Sequence, residues 1–324
     1  MQRAGVIGAG AFGTAIAVAT ASRWKDVFLY SDLPSVVCAI NSLRLNPQFL
    51  PGIGLPQHFI GHQDLATANS CDVLFLCVPA QVVRTVCTSL EDQHLSSGIP
   101  IIVCSKGIEI ASGLLIGEVI ASMLSNPVYI LSGPSFAQEL ARCLPTTVTI
   151  AGQESEAVTA LKSTLETPTF RVMPSLDLIG AQVGGALKNL LAVGAGLVLG
   201  AGLGENARAV LVTKGFQEMQ RIVQVLGGDP ETLLGMSGFG DIFLTCMSNT
   251  SRNTTFGVRV AKGEISIPLK EPFQGPLAEG ALTAAAWQAF KTRFAHAETP
   301  VFTALYEALC ADRSLTDAFK IICE

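Results

Sequence analysis

The sequence predicts an α/β fold: a doubly wound, largely parallel sheet in the N-terminal part, then an all-helical C-terminal part. Three observations predict it. Short apolar runs alternate with helix-length segments as far as residue 178. Those runs are continuously apolar, as expected for strands covered on both faces. Beyond residue 178 the strand signals stop and long apolar stretches with helical spacing take over. Domains are therefore expected at 1–178 and 179–324.

Ala4–Ile7 reads as the first strand, Phe12–Ser22 as a helix of small apolar residues and Val27–Tyr30 as the second strand. Asn46–Phe59, with Pro47, Pro51, Gly52, Gly54 and Pro56, reads as loop. Val73–Val78 and Ile101–Cys104 follow as strands, Leu114–Leu124 as the helix between strands, and Val128–Leu131 and Thr146–Ile150 as further strands. This βαβ rhythm implies the doubly wound sheet. The helical stretches are Ile179–Leu203, Ala207–Leu226, Leu277–Phe290 and Pro300–Leu309.

Composition narrows the function. The chain has 324 residues, 49% apolar and 15% charged, with a formal net charge of −5. That balance argues against nucleic-acid binding, which calls for a basic patch. A mean hydropathy of +0.46 raises the question of a membrane. A span needs about 20 apolar residues. The uncharged run between Lys188 and Glu205 is shorter and carries five glycines, so a buried core helix is expected instead. The apolar N-terminus is broken by Gly5, Gly8, Gly10 and Gly13, unlike a signal peptide. Nine cysteines without regular spacing and four scattered histidines suggest no metal site and a reduced, cytoplasmic protein. On that reading the sequons at Asn249 and Asn253 are chance matches.

Gly8-Ala9-Gly10-Ala11-Phe12-Gly13 follows the first strand and opens the first helix. The first glycine allows the tight turn, the second lets backbone approach a pyrophosphate, and the third lets helix pack on strand. The motif's placement makes the N-terminal domain a Rossmann-like dinucleotide site. Asp32, nineteen residues after Gly13, stands where a carboxylate meets ribose hydroxyls, or else caps a helix before Pro34.

Further polar residues sit where ligands of such sheets bind, beyond the carboxyl ends of strands. Lys106 follows the Ile101–Ser105 strand and suits an anionic substrate, or is a solvated loop lysine. Ser132-Gly133-Pro134-Ser135-Phe136 closes the next strand, and Ser135 with Gln138 makes a capping box beside any ligand role. Lys188 interrupts two uncharged runs. It is a buried base with a lowered pKa, or a lysine whose head snorkels to water. Asp241, in Gly238-Phe239-Gly240-Asp241, orients a lysine or caps a helix. Ser251-Arg252-Asn253 is a phosphate grip or a helix start.

Together these residues resemble a known family. The motifs GAGAFGTA (Gly8–Ala15), Ser105-Lys106-Gly107, SGPSF (Ser132–Phe136), GGALKN (Gly184–Asn189), Gly238–Asp241 with Leu244-Thr245-Cys246, Ser251-Arg252-Asn253 and Ala278-Glu279-Gly280 run through nearly the whole chain. The chain resembles the bacterial type of NAD(P)-dependent glycerol-3-phosphate dehydrogenase. The resemblance implies that Lys188 is the proton acceptor. It also implies that Lys106, Gly133, Ser135, Asp241, Ser251, Arg252 and Asn253 contact substrate, with Asn189 and Thr245 near the same site. Ala11, Phe12, Lys106, Ala137, Arg252, Leu277 and Glu279 match cofactor-contacting positions. Ala11 replaces a commoner serine, Phe12 a Trp or Tyr, and Asp32 stands near where relatives often have His or Arg.

The implied reaction is hydride transfer between NAD or NADP and C2 of a three-carbon phosphate, interconverting sn-glycerol 3-phosphate and dihydroxyacetone phosphate. The family's biosynthetic role is supplying glycerol 3-phosphate for phospholipids, and its members suggest a homodimer. The acidic Asp32 predicts a preference for NADH. A β-hydroxyacid dehydrogenase is the nearest rival, but it spaces its lysine and asparagine four apart, whereas Lys188 adjoins Asn189. A dinucleotide sensor without catalysis would lack Lys188, Asp241 or Arg252.

Overall fold

The computed structural model describes residues 2–269, 278–311 and 313–323; Leu277 lies outside the described residues. Two compact units divide the chain: Met1–Ser105 with Ile116–Leu178, and Lys106–Leu115 with Ile179–Glu324. The segment Lys106–Leu115, expected in the first domain from its place in the chain, therefore folds with the helical unit.

The first unit is built on an eight-stranded sheet. Its strands are β1 (Arg3–Ile7), β2 (Asp26–Tyr30), β5 (Phe59–His62), β6 (Val73–Leu76), β7 (Ile101–Val103), β8 (Val128–Ser132), β9 (Thr146–Ala151) and β10 (Phe170–Ser175). Their order is β10-β9-β8-β7-β6-β1-β2-β5. The chain lays β1, β2 and β5 toward one edge, then returns to build β6, β7 and β8 toward the other. The topological switch point thus lies between β1 and β6, the usual ligand position in such sheets. Every residue of β6 is buried, as its unbroken VLFL run requires. β8 and β9 pair antiparallel, so the sheet is mixed at one end.

Helices α1 (Ala11–Ala19), α2 (Pro34–Leu43), α3 (Val83–Asp92), α4 (Ile116–Ala121), α5 (Ala137–Ala141) and α6 (Ser155–Leu165) complete the first unit. The segment read as loop carries two short antiparallel strands, β3 (Leu45–Asn46) and β4 (Leu50–Gly54), and leads into the edge strand β5. Its prolines and glycines hid that pairing.

The second unit is helical: α7 (Leu178–Gly200), α8 (Gly204–Val225), α9 (Asp241–Met247), α10 (Arg252–Ala261), α11 (Glu279–Lys291), α12 (Pro300–Cys310) and α13 (Leu315–Cys323). A π-helical turn, Met236–Gly240, precedes α9. α7 is long and apolar enough to cross a membrane, but 89% of its most apolar window is buried inside the protein. It is the spine of a core that includes Leu190, Leu191, Leu211, Ile222, Trp287 and Phe302.

Candidate active site

In the sheet unit the glycine loop is fixed by bonds to the end of β2, by the close start of α1 and by Asn46. Gly8 and Ala9 both donate backbone N–H bonds to the Tyr30 carbonyl at the end of β2, at 3.1 and 2.9 Å. Gly8 takes φ 102°, a turn that favours glycine. A Cβ on Gly13 would lie 2.0 Å from the Gly8 carbonyl oxygen, so only glycine lets α1 start this close to β1. Asn46, fully buried, donates from Nδ2 to the Ala9 carbonyl and to the Thr14 hydroxyl, each at 2.8 Å. A Cβ on Gly10, by contrast, would meet no protein atom within 4 Å. Packing does not require glycine there, and the backbone is left open on that side. α1 has no acidic residue in its first turn and no side-chain cap. A helix start in that condition attracts an anion. These features fit a dinucleotide pyrophosphate.

Asp32 lies two residues past β2 and is exposed. It is not a helix cap: α2 begins at Pro34 behind Leu33, with no side-chain cap. The neighbouring Ser31 is occupied, its N–H donating to the His62 carbonyl at 2.9 Å and its hydroxyl accepting from Leu33 N–H at 3.2 Å. Of the two, Asp32 is the exposed residue and Ser31 the buried one. Ser135 does not make the expected capping box. Its hydroxyl donates to the Gly133 carbonyl at 2.9 Å, and α5 starts later, at Ala137. Gly133 closes β8 with φ 152°. Ala11 and Phe12 form the first turn of α1, and Phe12 packs on the sheet core.

In the helical unit a buried charge cluster forms. Lys188, in the middle of α7, is 8% exposed. Its Nζ donates to Asp241 Oδ1 at 2.7 Å and to the Thr245 hydroxyl at 2.9 Å. Lys106 Nζ donates to the other Asp241 oxygen, also at 2.7 Å. The Thr245 hydroxyl spends its proton on the Asp241 carbonyl at 2.6 Å, so an oxygen lone pair faces Lys188. Lys188 does not snorkel; two of its three donor directions are taken inside the protein, among the described residues. Burial lowers its pKa, with Lys106 acting in the same sense; Asp241 opposes this, and the outcome is about 8. Burial works against ionised Asp241, but the two lysines outweigh it and hold the carboxyl below its usual range.

Asn189 and Asn253 are joined by a hydrogen bond from Asn253 Nδ2 to Asn189 Oδ1 at 2.9 Å, and Asn253 Oδ1 accepts from Gly280 N–H at 2.9 Å. One amide thereby ties α7, α10 and the start of α11, where Glu279 is the first residue. Ser251 caps α10, accepting from Thr254 N–H at 3.3 Å. Arg252 is exposed and makes no hydrogen bond or ion pair among the described residues. The site residues thus fall into two sets. Gly8, Gly10, Ala11, Phe12, Gly13, Asp32, Gly133, Ser135 and Ala137 belong to the sheet unit. Lys106, Lys188, Asn189, Asp241, Thr245, Ser251, Arg252, Asn253 and Glu279 belong to the helical unit. Asn46 was missed; an Asn before a proline reads as a turn, and nothing local signals its bonds to the glycine loop.

Comparison with known proteins matches both halves of the chain. The family model described as the NAD-dependent glycerol-3-phosphate dehydrogenase N-terminus matches residues 3–158, and that described as the C-terminus matches residues 177–320. The glycerol-3-phosphate dehydrogenase [NAD(P)+] of Paramagnetospirillum magneticum is 46% identical over 254 residues, 78% of this chain and 92% of that protein. Its counterpart in Caulobacter vibrioides is 40% identical over 314 residues, 96% of this chain and 93% of that protein. The crystal structure of glycerol-3-phosphate dehydrogenase from Coxiella burnetii superposes with a TM-score of 0.91 at 32% identity, covering 100% of this chain and 99% of that one. Two matching halves and relatives aligned over almost their whole length lead to one conclusion: this chain belongs to the NAD-dependent glycerol-3-phosphate dehydrogenase family.

Proposed function

We propose that this oxidoreductase interconverts sn-glycerol 3-phosphate and dihydroxyacetone phosphate, with Lys188 as the proton acceptor and donor. The observation that carries the reading is the buried Lys106–Asp241–Lys188–Thr245 cluster. When bound, NAD or NADP supplies the hydride acceptor or donor. The protein's own residues handle the proton. Neutral Lys188 takes the C2 hydroxyl proton during oxidation, and its ammonium returns a proton to the C2 oxygen during reduction. A pKa of about 8 suits both directions near neutral pH. Asp241 and Thr245 hold Nζ so that its remaining direction serves the substrate. Lys106, paired with Asp241, adds positive charge beside an anionic substrate. Arg252, exposed at the start of α10 and not engaged by the described residues, grips the phosphate. Anchoring that remote group fixes C2 for transfer.

Three finer readings belong to the same proposal. Asp32 accepts hydrogen bonds from the ribose hydroxyls and repels a 2′-phosphate, giving a preference for NADH. The enzyme works in the cytoplasm, supplying glycerol 3-phosphate for phospholipid synthesis. It acts as a homodimer; Phe239 and Phe243, 53% and 59% exposed, are apolar surface of the kind a second copy would cover. The deciding experiment follows NADH absorbance with dihydroxyacetone phosphate, comparing the parent with Lys188→Ala. The parent should oxidise NADH, and the variant should lose roughly 10²–10⁴-fold in kcat. Near-normal kcat in the variant would remove Lys188 from the mechanism.

A further inference from the structure

Cys77 and Cys104 end two adjacent strands at the switch point of the sheet. Leu76 on β6 is paired with Val103 on β7, so the next residues, Cys77 and Cys104, stand opposite each other. The Cys104 N–H donates to the Leu76 carbonyl at 2.9 Å, continuing the ladder. Alternation puts both side chains on the face of Phe75 and Ile102, and both pack into that same core cluster. Both are free thiols, Cys104 buried and Cys77 partly exposed. Adjacent strands are about 4.8 Å apart, within the Cα separation that a disulfide spans.

Cys77 also braces the glycine loop. Its N–H donates to the Ile7 carbonyl at 2.8 Å. A Cβ on Gly8 would lie 2.8 Å from its backbone, and a Cβ on Gly13 would lie 3.1 Å from its Cβ. The loop and the first turn of α1 thus rest directly on this residue, with Cys104 on its opposite side.

We propose that Cys77 and Cys104 form an oxidisable dithiol whose disulfide loosens the dinucleotide loop and weakens cofactor binding. The inference rests on the dinucleotide reading of that loop. The oxidant is hydrogen peroxide. The Cys77 sulfur attacks the peroxide oxygen, giving a sulfenic acid and water. The Cys104 thiol then displaces the second oxygen as water and forms the S–S bond. Two thiols and one hydrogen peroxide become one disulfide and two waters. Cβ atoms in a disulfide lie about 3.8 Å apart, closer than strand spacing sets them. Closing the bond draws Cys77 toward β7, away from β1 and the loop resting on it. A bond strained in this way reduces readily, which suits reversible control. Burial holds the Cys77 thiol well above its ordinary pKa, with Cys104 beside it acting in the same sense. Cys77 therefore rests as a thiol, and its oxidation speeds up as pH rises.

The test treats the whole chain with hydrogen peroxide in a Cys38→Ser/Cys143→Ser background, which removes the two thiols exposed among the described residues. Peptide mapping without reductant should recover a Cys77–Cys104 link. The KM for NADH should rise roughly tenfold, about 1.4 kcal/mol of binding, and return with dithiothreitol. Prior saturation with NAD⁺ should slow formation of the link. Cys104→Ala should remove the sensitivity while keeping the parent's untreated activity; if it does not fold, Cys104→Ser takes its place. Absence of the link overturns the proposal, as does a link that leaves the NADH KM unchanged, or equal inhibition of the Cys104 variant. Loss of activity with no change in the NADH KM would count against the dithiol while leaving the dinucleotide reading intact.

Discussion

Replacing Asp241 by Asn keeps the shape of the side chain and removes the negative charge that Lys106 and Lys188 share. Lys188 sits at about pKa 8 because Asp241, at 2.7 Å, opposes the cost of burial. An opposite charge at such range is worth about 1–3 pKa units. Without it Lys188 should fall to roughly 5–7. At pH 7 the parent lysine is about one-tenth neutral; in the variant it is about half neutral or more. The signs for the two directions differ. In the proposed mechanism, reduction of dihydroxyacetone phosphate uses the ammonium, so its kcat/KM should decline as pH rises through the lysine pKa. That limb should move from near pH 8 in the parent to about 1–3 units lower in Asp241→Asn. Oxidation of glycerol 3-phosphate uses the neutral amine in the same proposal, and its rising limb should move down by the same amount. The absolute rate should fall in both directions because Nζ loses an orienting partner. The assay is kcat/KM from pH 5 to 9 in each direction, with circular dichroism confirming the fold. A reduction limb that stays near pH 8 would refute the coupling of Asp241 to Lys188.

Three other outcomes follow from the geometry. Arg252→Ala should raise the KM for dihydroxyacetone phosphate by about tenfold or more with little change in melting temperature, since a charge-assisted pair contributes roughly 1.5–3 kcal/mol; an unchanged KM would assign the phosphate to Lys106. Asp32→Arg should move the NADH/NADPH ratio of kcat/KM toward NADPH by about an order of magnitude, and an unaltered ratio would show that Asp32 does not read the ribose. Glu218, buried on α8, accepts backbone N–H bonds from Val301 and Phe302 at the start of α12, and burial raises its pKa from 4.5 to about 7. The folded protein therefore holds a proton on this group where the unfolded chain has released it, so its contribution to stability falls as pH rises from about 4.5 to 7, by at most about 3 kcal/mol. Thermal melts across that range should show the decline in the parent, and its loss in Glu218→Gln.

The sequence reveals what is local. The apolar run at Val73–Leu76, the Gly8–Gly13 loop at the strand–helix junction, and an isolated lysine within α7 are each decided by neighbouring residues. What depends on distant partners was hidden. The two readings of Lys188, base or snorkelling lysine, are separated only by Asp241 and Thr245, 53 and 57 residues further on. Asn46 looks like a turn residue until its bonds across 37 and 32 residues to Ala9 and Thr14 are seen. The antiparallel pairing of β8 with β9 leaves no mark on either strand's pattern, because a strand covered on both faces is apolar whichever way its neighbour runs. Ser135 and Gln138 satisfy a capping rule that the chain does not use; the start of α5 at Ala137 decides otherwise.

The apolar α7 carries a consequence for how the protein is made on the ribosome. Its cover arrives late. Leu191 of α7 meets Gly215 of α8, but Gly196 meets Thr254, Asn189 meets Gly280, and Gly194 meets Leu305. Each successive partner emerges further along the nascent chain, Leu305 last of the four. Until then a helix greasy enough to enter a bilayer waits with open flanks. Synthesis is thus the interval in which this enzyme is most exposed to aggregation and most in need of a holding chaperone. A chain stopped at residue 299, before α12, should sediment as aggregate even though every side chain of the proposed site is present; a soluble, monodisperse product would show that α8, α10 and α11 suffice to cover the spine.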